Sequence, residues 1–204
     1  MGEMSGKWIV FEGLDGAGTT TQVERFVARL REAGVGSDSI FQTAEPTAGP
    51  FGQLCREALR GKFSLDPQTL ALAFTVDRSH HLSKEEGILA HQDRGHWIAM
   101  DRYFYSTLAY QDEVDRDWLL SLCKLFPRPD LVVFLDTPVE VCLERIHARG
   151  KDRDVYEEES AMKRIRESYH WVREHEETRS DWLSLAGDLP AEEIADRVWE
   201  RVWG

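Results

Sequence analysis

The apolar run Trp8-Ile9-Val10-Phe11 is followed by three glycines, Gly13, Gly16 and Gly18, and then by Thr19-Thr20-Thr21. Beyond these, Val23, Phe26, Val27 and Leu30 recur at helical spacing on one face. A buried strand, a glycine-rich turn and an amphipathic helix in that order confine the chain to few folds. The spacing is that of G-x-x-x-x-G-K-[ST], with one departure: Thr19 stands at the lysine position. Glycines let the turn tighten and aim backbone N–H groups at phosphate oxygens, and a helix start adds partial positive charge. Gly13, Gly16, Ala17, Gly18, Thr19, Thr20 and Thr21 are therefore expected to bind the phosphates of a nucleoside triphosphate. Thr20 fills the hydroxyl position that serves Mg²⁺.

With 204 residues, one α/β domain spanning 1–204 is the natural expectation. Strands are expected at 7–12, 97–100 and 131–136, with weaker ones at 39–43 and 182–186. The strong ones are apolar without alternation, as in a parallel sheet covered on both faces. Helices are expected at 20–33, 52–60, 67–90, 103–111, 116–126, 138–148, 156–178 and 191–202. The charged segment 149–159 separates two of these helices and reads as a short mobile loop.

A net charge of -12 with no basic patch argues against nucleic-acid binding. No apolar run reaches the length of a membrane span. Residues 1–6 match neither a signal peptide nor a myristoylation pattern. Cys55, Cys123 and Cys142 are odd in number and lack metal-ligand spacing, which fits reduced thiols in a cytoplasmic protein.

Asp101-Arg102-Tyr103 directly follows a strand, where open α/β sheets bind ligands. Asp101 suits Mg²⁺ and Arg102 a phosphate. Ser106 and Tyr110 share a helical face, with Gln111 beside them. Phe74 and Arg78 are i,i+4 neighbours; an aromatic plane beside a guanidinium suits a nucleobase, although from spacing alone a core phenylalanine with a solvated arginine is the simpler reading. His80 and His81 read as ordinary polar helix residues. Arg145, Arg149, Lys151 and Arg153 are either cations at a helix C-terminus or the charges of a lid over a transferring phosphate.

Taken together, Phe11-Glu12-Gly13-Leu14-Asp15-Gly16-Ala17-Gly18, Glu45-Pro46-Thr47, Asp101-Arg102-Tyr103 with Ser106 and Ala109-Tyr110-Gln111, and Arg128-Pro129-Asp130-Leu131 resemble the thymidylate kinase family nearly end to end. The resemblance implies a three-layer P-loop kinase fold, with a five-stranded parallel sheet, helices on both faces and a short lid at about 149–159. It implies ATP and Mg²⁺ as donor and metal, dTMP as acceptor, and a cytoplasmic homodimer. Phe74 would stack on thymine, Arg78 would bind its O4, and Arg102 would hold the acceptor phosphate. Glu45 and Pro46 belong to the acceptor pattern, Tyr110 and Gln111 would frame the deoxynucleoside, and Asp15 would sense the 3′-hydroxyl. With glycine at position 16, family members carry the catalytic arginine in the lid, here Arg149 or Arg153. Thr19 and Ala44 depart from the family by removing positive charge near phosphates. Two alternatives stay open on the sequence: a nucleotide-binding protein without useful catalysis, and a deoxynucleoside kinase with Glu12 as its base.

Overall fold

Five strands, β1 (Trp8–Gly13), β2 (Ile40–Ala44), β3 (Trp97–Asp101), β4 (Leu131–Asp136) and β5 (Trp182–Ala186), form one sheet in the order β2-β3-β1-β4-β5. All four pairings are parallel. The computed structural model describes residues 6–149, 156, 158–176 and 180–204, with the backbone alone at 149 and 176. The described helices are α1 (Thr19–Glu32), α2 (Pro50–Leu59), α3 (Pro67–Ser83), α4 (Ile88–Asp93), α5 (Phe104–Tyr110), α6 (Arg116–Cys123), α7 (Val139–Arg149), α8 (Glu159–Glu176) and α9 (Ala191–Trp203).

The continuous apolar character of the central strands is explained by what covers them. Ile9 and Phe11 of β1 pack with α1, α7 and α9 through Val27, Ile146 and Val198. Trp8 and Val10, pointing the other way, pack with Leu82, Leu108 and Leu119 of α3, α5 and α6. Both faces are thus buried, giving three layers. The connections leaving β1 and β3 run to opposite sides of the sheet, so a crevice opens beyond their carboxyl ends.

The helix expected at 67–90 is broken into α3 and α4. Lys84 leaves the helical region with ψ 159, and Gly87 caps the next helix. A Cβ at Gly87 would lie 2.6 Å from the carbonyl oxygens of His81 and Leu82, so only glycine allows this approach. Helical periodicity does not register such a backbone contact. The start of α3 is conventional: Pro67 follows Asp66, whose carboxylate accepts the N–H of Thr69 at 3.0 Å.

Candidate active site

Gly13 ends β1 with no room for a side chain: a Cβ there would meet Ala17 Cβ at 2.9 Å. Gly16 and Gly18 adopt φ of 82° and 102°, values that other residues rarely take. Gly18 then caps α1, whose first N–H groups, on Thr19, Thr20 and Thr21, have no intrahelical acceptor. The turn is pinned from α7, where Arg145 Nη1 donates to Gly16 O at 3.3 Å and Ala17 O at 3.2 Å. The Thr20 hydroxyl donates to Asp101 Oδ2 at 2.5 Å. Asp101 Oδ1 is buried with no hydrogen-bond partner among the described residues. A carboxylate oxygen left over beside a hydroxyl, facing phosphate-directed N–H groups, fits a hard cation such as Mg²⁺, which takes one or two protein oxygens alongside substrate phosphates.

Next to this turn lies a cavity of about 330 Å³. The structure brings Asp15, Glu45, Pro46, Phe74, Arg78, Asp101, Arg102, Ser106 and Tyr110 to its wall, from five separate segments. Arg102 sits at φ 66°, the left-handed value for a non-glycine residue among the described residues. Its backbone N–H is held by Phe11 O at 2.9 Å. Its Nη2 donates to Asp15 Oδ1 at 2.7 Å, and its Nη1 to Gly13 O at 2.8 Å. Burial alone would lower the guanidinium's pKa, but the negative charges beside it, Asp15 and Asp101 among them, hold it well above the usual arginine range.

Arg78 is not a solvated arginine. It is 2% exposed, donates from Nε to Glu45 Oε2 at 2.8 Å and from Nη2 to Thr107 Oγ1 at 3.1 Å, and leaves Nη1 with no hydrogen bond among the described residues. The peptide bond between Glu45 and Pro46 is cis. Gln111 stands back from the cavity, buried, with Nε2 donating to the Tyr156 hydroxyl at 2.8 Å. Tyr156 itself lines the cavity. The Arg149 side chain and all of Arg153 lie outside the described residues.

Sequence reasoning missed several members of this assembly. Arg56 donates to Thr47 O at 2.7 Å and to Pro46 O, and both Arg56 and Arg60 line the cavity. Their i,i+4 spacing, Arg56 in the last turn of α2 and Arg60 capping it, was the available signal. His81 is not an ordinary surface residue: it is 1% exposed, with Nδ1 3.1 Å from Glu45 Oε1 and Nε2 2.7 Å from Thr43 Oγ1. Asp77 is buried and accepts both the N–H and the hydroxyl of Thr47, at 2.7 and 2.6 Å. Tyr169 comes from α8, 157 residues from the Glu12 it touches, and no local pattern announces it.

Glu12 is fully buried, and burial pushes its carboxyl from 4.5 up to about 7 against the opposing pull of Arg102 and its hydrogen-bond donors. The native state therefore binds a proton more tightly than the unfolded chain between those values. Stability from this group is complete below the unfolded value and is lost as pH rises through about 7, a change of about 3 kcal/mol. Urea unfolding at pH 5 and pH 8 is expected to show this loss in the native protein and not in Glu12→Gln. An equal difference in both would assign it to other groups.

A parallel five-stranded sheet, a glycine-rich turn feeding a helix and an acid–arginine pair at the adjacent strand end define the class of P-loop nucleotide phosphotransferases. The family model for thymidylate kinase matches residues 11–198. The chain is 39% identical over 203 residues to the thymidylate kinase of Thermomicrobium roseum, covering 96% of this chain and 93% of that one. It is 36% identical over 202 residues to the thymidylate kinase of Akkermansia muciniphila, covering 97% and 91%. The chain belongs to the thymidylate kinase family.

Proposed function

We propose that this protein transfers the γ-phosphoryl group of ATP to dTMP, giving ADP and dTDP, by direct in-line displacement. Family membership supports the reaction, and the observation that carries its assignment to these residues is the cavity they share. There a partly buried aromatic and an anchored guanidinium, Phe74 and Arg78, share one wall with Arg102 and the phosphate-binding turn. Phe74 stacks on the base, and Arg78, with Nε and Nη2 already held, offers Nη1 to a base carbonyl. Arg102 grips the acceptor phosphate. The N–H groups of residues 16–21 cradle the donor phosphates. Thr20 and Asp101 would hold Mg²⁺, whose chemistry there is neutralisation of charge on those phosphates. An ionised phosphate acceptor needs little general-base help, so positioning and electrostatics account for the rate.

Glu12 does not suit the alternative, a base beside a 5′-hydroxyl. It is 0% exposed, and both its oxygens accept protein donors, Tyr103 N–H at Oε1 and Ser106 and Tyr169 hydroxyls at Oε2.

The missing lysine calls for another cation. Losing one preorganised donor costs roughly 10²–10³ in rate, and an arginine supplied to the transferring phosphate is worth roughly 10³–10⁵. Arg149 and Arg153, in a lid at about 149–159 of a single 1–204 domain, take over this work. Arg149→Ala or Arg153→Ala is expected to abolish transfer while dTMP binding by calorimetry persists. Unchanged turnover in both would sink the lid assignment.

The protein acts as a homodimer. On the neighbouring helices α2 and α3, Phe51, Leu54, Leu72 and Val76 are each 41–47% exposed, and Leu72 and Val76 share a face by their spacing. Light scattering is expected to give twice 23.5 kDa, and Leu72→Glu with Val76→Glu to give the monomer.

The deciding assay is ADP production from ATP and Mg²⁺ with dTMP, thymidine, dUMP or no acceptor. Turnover with dTMP and not thymidine supports the proposal. Binding of dTMP without turnover favours a nucleotide-binding protein, consistent with Thr19 and Ala44, and rescue by Thr19→Lys would place the defect in the turn.

A further inference from the structure

Glu12 takes no part in the chemistry described above, yet it is the most heavily bonded carboxylate near it. Its Oε1 accepts the Tyr103 N–H at 2.8 Å. Its Oε2 accepts the Ser106 hydroxyl at 2.6 Å and the Tyr169 hydroxyl at 2.8 Å. The same two hydroxyl oxygens lie 2.9 Å from each other, and 3.1 and 3.3 Å from Arg102 Nη1. Each hydroxyl owns one proton, a guanidinium only donates, and an ionised carboxylate only accepts. An ionised Glu12 draws both hydroxyl protons to Oε2, which turns the lone pairs of both oxygens toward Arg102.

This orders the whole guanidinium. One Nη1 hydrogen goes to Gly13 O and the other to the hydroxyl pair, while one Nη2 hydrogen goes to Asp15 Oδ1. Among the described residues Nε makes no hydrogen bond and Nη2 makes one, to Asp15, and the Nε/Nη2 side of a guanidinium is an edge suited to a bidentate phosphate. We propose that Glu12 is the positioning residue for Arg102, acting through Ser106 and Tyr169 to hold that edge toward the acceptor phosphate. The proposal rests on the reading above that Arg102 binds this phosphate.

The device depends on the polarity of Oε2. A proton on Oε2, or an amide in its place, points a hydrogen at the same oxygens that Arg102 donates to. The other charged groups around the guanidinium are Asp15 and Asp101. Tyr110 and Tyr169 are held neutral by burial, which keeps both hydroxyls well above their usual range. Glu12, by contrast, is raised only to about 7, within the working range of an assay.

The test is steady-state kinetics for dTMP from pH 6 to 8.5 in the native protein, Glu12→Gln and Tyr169→Phe, with dTMP calorimetry and thermal unfolding of each. Hydrogen bonds to charged groups make the expected loss in kcat/KM for dTMP in Glu12→Gln about 10–100-fold at pH 8.5. The loss shrinks toward pH 6, where the native Glu12 is itself protonated, and KM for ATP is unchanged. The acceptor's own second ionisation affects all three proteins alike, so the ratio between profiles is the readout. Tyr169→Phe keeps the ring and leaves the Ser106 hydroxyl between Glu12 and Arg102, and shows a smaller loss for dTMP with KM for ATP again unchanged. A loss that is constant across pH, or that raises KM for ATP equally, would mean a structural role and overturn the proposal. Native binding of dTMP with unaltered kinetics in both variants overturns it too. Failure of the native protein to bind dTMP would instead remove the reading of Arg102, and the proposal with it.

Discussion

Arg102→Ala is expected to lower kcat/KM for dTMP by about 10²–10³, the cost of one preorganised donor to phosphate. The side chain joins Gly13, Asp15, Ser106 and Tyr169 at the cavity wall, so its removal strands several groups at once. A companion variant separates chemistry from folding. Arg102 stands at φ 66°, where a non-glycine residue carries strain of about 1–3 kcal/mol. Arg102→Gly deletes the same guanidinium and also relieves the backbone. Both variants should be equally inactive, while the glycine variant unfolds at higher urea than the alanine variant. Full turnover in either would remove Arg102 from the site.

The largest loss of stability is expected from Arg78→Met. Arg78 and Glu45 are both buried, and their ion pair is 2.8 Å long, with side chains 2% and 4% exposed. Removing one partner leaves an uncompensated carboxylate in the interior, at a cost of about 3–5 kcal/mol. His81, 3.1 Å from the other carboxylate oxygen, becomes its remaining partner. Adding Glu45→Gln should restore most of the stability, because a neutral pair carries no stranded charge. It should not restore dTMP binding, since Arg78 Nη1 would still be missing. Urea denaturation of the two single variants and the double variant, with dTMP calorimetry, measures both effects. Recovery of binding in the double variant would show that Arg78 is structural only.

Much of the site was legible because its parts are local in sequence. The glycine turn, the acid–arginine pair at the end of β3 and the i,i+4 pairs Phe74/Arg78 and Ser106/Tyr110 each carry their own short pattern, and Asp15 of the turn lines one cavity with the other six residues. Parallel strands were legible for the same reason: β1, β3 and β4 are continuous apolar runs. The break between α3 and α4 was not, because it depends on a backbone approach at Gly87 that periodicity does not encode.

By itself the sequence determined the class of fold and the kind of ligand. Glycine spacing dictates where backbone N–H groups can converge, and apolar runs dictate which strands are buried on both faces. Only the tertiary structure decided which charges meet. It turned Arg78 inward onto Glu45, brought His81 and Asp77 under the same loop, and carried Tyr169 across 157 residues to complete the ring around Glu12. The physical reason is that a charge or hydroxyl acquires its role from its partners and its burial. In a sheet whose neighbours are far apart in the chain, both are set by packing, not by spacing.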